Sequence, residues 1–410
     1  MRILAITAFY PPNHTGGYEL RCRDVIEGLR HKGHDICLVT NQVMNINARQ
    51  LNDEQWVHRI LCLKSEGMNV FSIIRADIKE LQKIEKIIEN YKPDLLYLWH
   101  MQNFSDAILP YLGKHKLPIV YDEGGSSLIF YTRLQKRGLY FYKNEQDSVL
   151  KRWLKQGIKA YAGMVSGGRI VPDWEWPVKM GVYFNSYSAL EHAREMGVPV
   201  EDADVIPSGI DISKFPFQPR DKISSPVRIV IPARIKQQKG CKDGILLVDE
   251  LRKRTIPAQV LIIGEVQSKN YYNELLRIAR DLGLSELVEL RAMVSQGELS
   301  EIYRNTDICF FTSYFKTGFS RVPLEAMASG CLVITYGNEG TAELVRHGET
   351  GFITNDGNIK GASDWIEKMI KELITYQKMA QAARNNIELN FNMEHYVDSI
   401  ESFLQNCRTI

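Results

Sequence analysis

The sequence has no long hydrophobic run. No segment reaches the roughly 18 consecutive apolar residues of a membrane-spanning helix, so any membrane contact is expected to be peripheral. The apolar run at residues 3–8 is too short for a secretory signal and turns polar at Tyr10-Pro11-Pro12. Paired cysteines are missing as well. The seven (Cys22, Cys37, Cys62, Cys241, Cys309, Cys331 and Cys407) are scattered without a Cys-x-x-Cys spacing. Cys37, Cys309 and Cys331 sit in apolar runs, where a free thiol acts as a small hydrophobe. These absences suit a reducing, cytoplasmic setting. An excess of one charge is lacking too: 51 basic against 49 acidic residues leave +2. That excludes the basic surplus a nucleic-acid binder needs to neutralise phosphates. Internal repeats, heptads and low-complexity tracts are absent.

What is present is alternation. Short apolar runs alternate with longer helical patterns from end to end, the signature of βαβ units and parallel sheets. At 410 residues the chain exceeds one hydrophobic core, so two Rossmann-like α/β domains are expected. Strands are predicted at 3–8, 35–40, 95–99, 119–121, 182–185 and 205–207. A second set follows at 227–231, 260–263, 288–290, 308–311, 332–335 and 352–354. The first helix should run from Gly17 to His31, and three helices near 361–373, 375–390 and 394–406 should close the chain. Three prolines and a glycine between Pro207 and Pro219 read as a linker. The expected division is an N-terminal Rossmann-like domain at 1–207, a linker at 208–225 and a C-terminal Rossmann-like domain at 226–385. Residues 386–410 form a helix read as crossing back to the first domain. A ligand would lie in the central cleft, at the carboxyl ends of the strands.

Three loops carry chemistry. After the first strand, Gly16-Gly17-Tyr18-Glu19 opens a helix, so backbone N–H groups and a positive dipole end meet at one spot. A turn that needs glycine at positive φ is the competing reading. After strand 227–231, Arg234 and Lys239 flank a loop ending at Gly240, where two cations suit a leaving pyrophosphate whose charge grows as the glycosidic bond breaks. Lys236 between them reads as solvated. After strand 308–311, Thr317-Gly318-Phe319-Ser320 leads into Leu324-Glu325-Ala326-Met327-Ala328-Ser329-Gly330. Glu325 is placed in the first helical turn between apolar neighbours. Either a ribose diol supplies the donors its burial requires, or the helix dipole alone stabilises it.

These motifs, with Val205-Ile206-Pro207-Ser208-Gly209-Ile210-Asp211, Glu343, Gly348 and Thr350-Gly351, resemble the retaining glycosyltransferases of family 4, which have the two-domain GT-B fold. The resemblance covers the C-terminal domain and both ends of the N-terminal one. It implies that Gly16 and Gly17 approach the donor phosphates, that Arg234 and Lys239 neutralise the diphosphate and that Glu325 binds the ribose. The backbone of Gly318, Phe319 and Ser320 would face the sugar, and Met293 and Val294 would flank the base. It further implies retention of anomeric configuration, no metal and no cofactor. The co-substrate would be a nucleotide-diphosphate sugar, UDP- or GDP-linked, and the acceptor a glycan, lipid or small metabolite. The sequence departs from the pattern twice. Thr317 stands where the family's Glu-x7-Glu has its first glutamate, and Asp122-Glu123-Gly124-Gly125 replaces its histidine. Asp122 or Glu123 would substitute there, beside His100 on the acceptor or sugar side, unless they are exposed acids in a glycine turn. Loss of both residues keeps a second reading open: a nucleotide-sugar-binding partner subunit without turnover.

Two features invite misreading. Asp202-Ala203-Asp204 copies a metal-binding Asp-x-Asp but reads as surface, and His31 and His34 read as helix-end residues. Residues 131–161 interleave Arg133, Lys136, Arg137, Lys143, Lys151, Arg152, Lys155 and Lys159 with Tyr140, Phe141, Tyr142 and Trp153. Peripheral contact with an anionic membrane and one solvated face of a long helix are the two readings.

Overall fold

A computed structural model describes residues 1–13, 16–42, 55–62, 68–102, 104–124, 127–137, 139, 148–176, 180–316 and 318–408. The chain divides into two compact units. One is Met1–Asn185 with Leu190–Ile206 and Val397–Ile410; the other is Ser186–Ala189 with Pro207–Tyr396.

Among the described residues the first unit holds seven parallel strands: β1 (Arg2–Ile6), β2 (Asp35–Asn41), β3 (Val57–Leu61), β4 (Leu95–Leu98), β5 (Ile119–Glu123), β6 (Met180–Phe184) and β7 (Asp204–Val205). Their order is β3-β2-β1-β4-β5-β6-β7. Strands covered on both faces read as unbroken apolar runs, which is why Ile3, Leu4, Ala5 and Ile6 are all fully buried. The helix Gly17–His31 follows β1, buries Cys22, Val25, Ile26 and Leu29, and gives way at Gly33, whose φ of 88° suits glycine. β3, which the sequence pattern does not announce, is an edge strand with four of its five residues half-buried.

The second unit holds six parallel strands: β8 (Val227–Pro232), β9 (Ala258–Ile263), β10 (Val288–Arg291), β11 (Ile308–Phe311), β12 (Leu332–Thr335) and β13 (Phe352–Ile353), in the order β10-β9-β8-β11-β12-β13. Within 208–225, Ile210 and Phe215 are fully buried in this unit's core. The closing helices are Ile359–Lys371, Leu373–Asn390 and Met393–Arg408. Beyond Tyr396 the last of them clusters with the first unit. There Lys32 reaches Asp398 (2.6 Å) and Glu401 (2.7 Å), His34 reaches Glu401 (2.8 Å), and the rings of Tyr183 and Phe403 meet edge-on.

Each sheet reverses its strand order once, between β1 and β4 in the first unit and between β8 and β11 in the second. In open parallel sheets such a reversal leaves a crevice beyond the carboxyl ends of the two strands, because their connections leave in opposite directions. The loops singled out from the sequence follow β1, β8 and β11.

Candidate functional site

In the second unit the loops after β8 and β11 are stitched together. Thr312 Oγ1 donates to the Lys239 carbonyl (2.8 Å) and the Tyr314 N–H to the Gln238 carbonyl (2.9 Å). Gly240, at φ 64°, has no room for a Cβ, which would run into the Thr312 carbonyl. This seam places three cations together. Lys236 Nζ and Lys239 Nζ lie 4.7 and 5.0 Å from the Phe315 ring centroid. Burial, then the charges of Arg234 and Lys239, push the Lys236 ammonium below its ordinary range. The reading of Lys236 as a solvated residue is therefore corrected: it is half-buried on an aromatic face and feels both neighbouring cations. An anion pairs with one of them. Lys239 Nζ pairs with Glu339 and approaches Ser313 Oγ at 3.4 Å, while Ser313 Oγ donates to Glu339. Glu339 is buried at φ 50°, a left-handed conformation that few non-glycine residues adopt. Neither Glu339 nor Ser313 carries a sequence signal for this role.

Thr317 lies outside the described residues. Beside it, Gly318 has φ 108° and its carbonyl accepts from Ser186 Oγ (3.0 Å). Phe319 stacks on Phe391. Ser320 precedes the helix Arg321–Ala328, so Glu325 falls in the second turn rather than the first. This corrects the dipole argument about it, because the N-terminal dipole is a turn away; protein donors also approach the buried carboxylate. Arg321 Nε lies 3.4 Å and Tyr303 Oη 3.5 Å from it. Met293 is exposed after β10, whereas Val294 packs against the cluster containing Tyr303 and Leu324.

In the first unit, Gly16 and Gly17 follow β1 and His100 follows β4, on the two sides of the reversal. Gly16 is extended (φ −179°) and neither glycine has positive φ, so the reading as a left-handed turn is corrected. The Gly16 N–H donates to Glu19 Oε2 (3.0 Å), and His100 Nδ1 lies 3.7 Å from Glu19 Oε1. Burial opposes ionisation of Glu19, yet His100 and nearby backbone N–H groups outweigh it and hold the carboxyl below its ordinary 4.5. Asp122 and Glu123 are not exposed acids in a turn. β5 runs through them and both are buried. Asp122 pairs with Arg21 and accepts from Tyr18 Oη (3.0 Å); burial pushes its carboxyl up and Arg21 pulls it back. Glu123 accepts from the N–H groups of Ser127 (3.2 Å) and Leu128 (2.8 Å), capping the helix Ser127–Arg137.

The features that invited misreading are placed as expected. Asp202 and Asp204 are exposed, and His34 pairs with Glu401. Among the described residues no helix is long and apolar enough to cross a membrane. The stretch 131–161 is not one long helix: Ser127–Arg137 and Val149–Val165 are separate.

Two Rossmann-like units, each with a parallel sheet reversed at its site, define a GT-B protein. The Anabaena protein HepE, solved with UDP and glucose, superposes with a TM-score of 0.70 over 99% of this chain and 100% of its own at 19% identity. A glycosyltransferase of Rickettsia africae gives 0.71 over 99% and 98% at 18%. The sequence match is narrower than the fold: residues 215–386 match the model of the glycosyl transferases group 1. Glycogen synthase of Mycobacterium tuberculosis is 27% identical over 199 residues, 48% of this chain and 47% of that enzyme. The amylovoran biosynthesis glycosyltransferase AmsK of Erwinia amylovora is 26% identical over 202 residues, 48% of this chain and 49% of its own. The chain spans about half the length of the curated relatives it matches.

Proposed function

We propose that this protein is a retaining, metal-independent glycosyltransferase that moves a sugar from a UDP- or GDP-linked donor to a glycan, lipid or small-molecule acceptor. The observation that carries the reading is the convergence of Arg234, Lys236 and Lys239 on the seam between the loops after β8 and β11. Three cations, one of them paired with the carboxylate of Glu339, make a positive cluster there, suited to a diphosphate. The diphosphate displaces Glu339 from Lys239 and gains negative charge as the glycosidic bond breaks. Cations fixed beforehand by Phe315, Ser313 and the 312–314 backbone therefore bind the transition state more tightly than the ground state. The leaving phosphate takes the acceptor proton on the face it departs from, which retains configuration. Glu325 binds the ribose while keeping its hold on Arg321, Met293 and Val294 flank the base, and Gly318, Phe319 and Ser320 line the sugar. The acceptor side belongs to the first unit, beside His100. The site of action is the cytoplasm or the inner face of its membrane.

The test is incubation of the pure protein with a panel of UDP and GDP sugars, with and without EDTA, following nucleotide release and the anomeric signal of the sugar by NMR. Slow donor hydrolysis insensitive to EDTA and with retained configuration is expected. Nucleotide-sugar binding without any hydrolysis would make the chain a non-catalytic partner subunit. Strict metal dependence or inversion would overturn the mechanism.

A further inference from the structure

The helix Val149–Val165 is turned the opposite way to an ordinary surface helix. At 3.6 residues per turn, each residue advances about 100° around the axis. Val149, Trp153, Ala160, Met164, Leu150, Tyr161, Leu154 and Val165 then fall within an arc of about 160°, and Lys151, Lys155, Lys159 and Arg152 fall in the remainder. A helix of a soluble protein turns the apolar arc inward. Here the only residues of the helix that are buried, Lys159 and Ala162, lie on the basic side, where Lys159 pairs with Asp173 (2.5 Å). The apolar arc faces outward: Met164 is 76%, Trp153 74% and Leu150 70% exposed. Phe71, half exposed, extends this surface through its edge-on contact with Tyr161.

We propose that this face is a membrane-docking surface, which lies in the headgroup region of an anionic bilayer with its apolar arc inserted and its basic flanks against lipid phosphates. Charge decides between occupants. The helix has four basic residues and no acidic one, and exposed Lys151 and Arg152 edge the two sides of the arc. A second copy of the chain would bring those like charges together, whereas anionic headgroups neutralise them. The arrangement is that of an interfacial helix, with Trp and long apolar side chains on one face and Lys and Arg beside them.

The test is flotation of the full chain with phosphatidylcholine–phosphatidylglycerol vesicles and with phosphatidylcholine vesicles alone. No nucleotide sugar is present, so the result stands apart from the donor chemistry. Wild type should float with the anionic vesicles, lose part of that binding between roughly 0.1 and 1 M salt, and keep an apolar remainder that salt does not screen. Trp153→Glu with Met164→Glu should cut the bound fraction about tenfold or more, with unchanged thermal unfolding because both residues are exposed. Lys151→Gln with Arg152→Gln should lower only the salt-sensitive part. The proposal is overturned if wild type stays unbound at low salt, or if the double glutamate variant floats like wild type. It is equally overturned if the glutamates dissociate a dimer instead of abolishing flotation.

Discussion

Lys239 is held by Glu339 and Ser313, and Lys236 rests on the Phe315 ring. Alanine at Arg234 or Lys239 should lower kcat by about 100-fold, since fixed charges at a leaving group act mainly in the transition state. Lys236→Ala should cost about tenfold, read in the same steady-state assay, because its charge is shared with two neighbours. Glu19 supports a prediction of a different kind. Its folded carboxyl titrates below the ordinary 4.5, so the stability it contributes is complete above about that pH and is lost as pH falls through the lowered value. Glu19→Gln should therefore flatten the acid limb of Tm against pH, measured between pH about 3 and 6, and leave the neutral region nearly parallel. At this scale the motifs name Arg234, Lys239 and Gly16 as candidates, and the loops that carry them follow β8 and β1. The sequence was not legible where a partner distant in sequence sets the environment: nothing near Asp122 announces Arg21, and nothing near Lys236 announces Phe315.

Elements were legible in proportion to their burial. The apolar runs of β1, β2, β4, β8, β11 and β12 are covered on both faces and stand out, whereas β3 is a half-buried edge and carries too few apolar residues to signal a strand. The start of the helix Arg321–Ala328 was misplaced because Ser320 makes no side-chain cap that would mark it, and Glu325 moved by a turn in consequence. The loop before the helix Cys241–Lys253 depends on a single glycine. At Gly240 a side chain meets both a positive φ and the Thr312 carbonyl, so Gly240→Ala should destabilise the second unit by about 2–5 kcal/mol. A calorimetric Tm lowered by roughly 5–15 °C would be the readout. Turnover should fall as well, measured below the new transition, because the same seam aims Lys239. A variant as stable and as active as wild type would show that the seam is slack.

At the scale of the molecule, two α/β units were legible from length and alternation, but the segments that make up each were not. The closing helix was read as crossing back from residue 386, whereas the structure keeps the chain with the second unit up to Tyr396 and packs residues 397–408 with β6 and the first helix. A chain stopped after Asn392 would lose Val397 against Gly28, Phe403 against Tyr183 and the Glu401 pairs. Hydrogen exchange should then rise in Gly17–His31 and Met180–Phe184, while β8, β9 and β11 keep their protection. Loss of protection in the second unit alone would contradict the assignment. The same packing has a consequence for biosynthesis. Ribosomes extend chains at about 5–20 residues per second, and the stretch from Pro207 to Tyr396 separates the first unit's sheet from the helix that completes it. On the order of 10–40 s therefore pass in which the first-made sheet emerges with Gly28 and Tyr183 still uncovered. The unit translated second has all its strands before the unit translated first can close. The order of completion is thus the reverse of the order of synthesis, and the waiting surface is one a chaperone would find on the nascent chain.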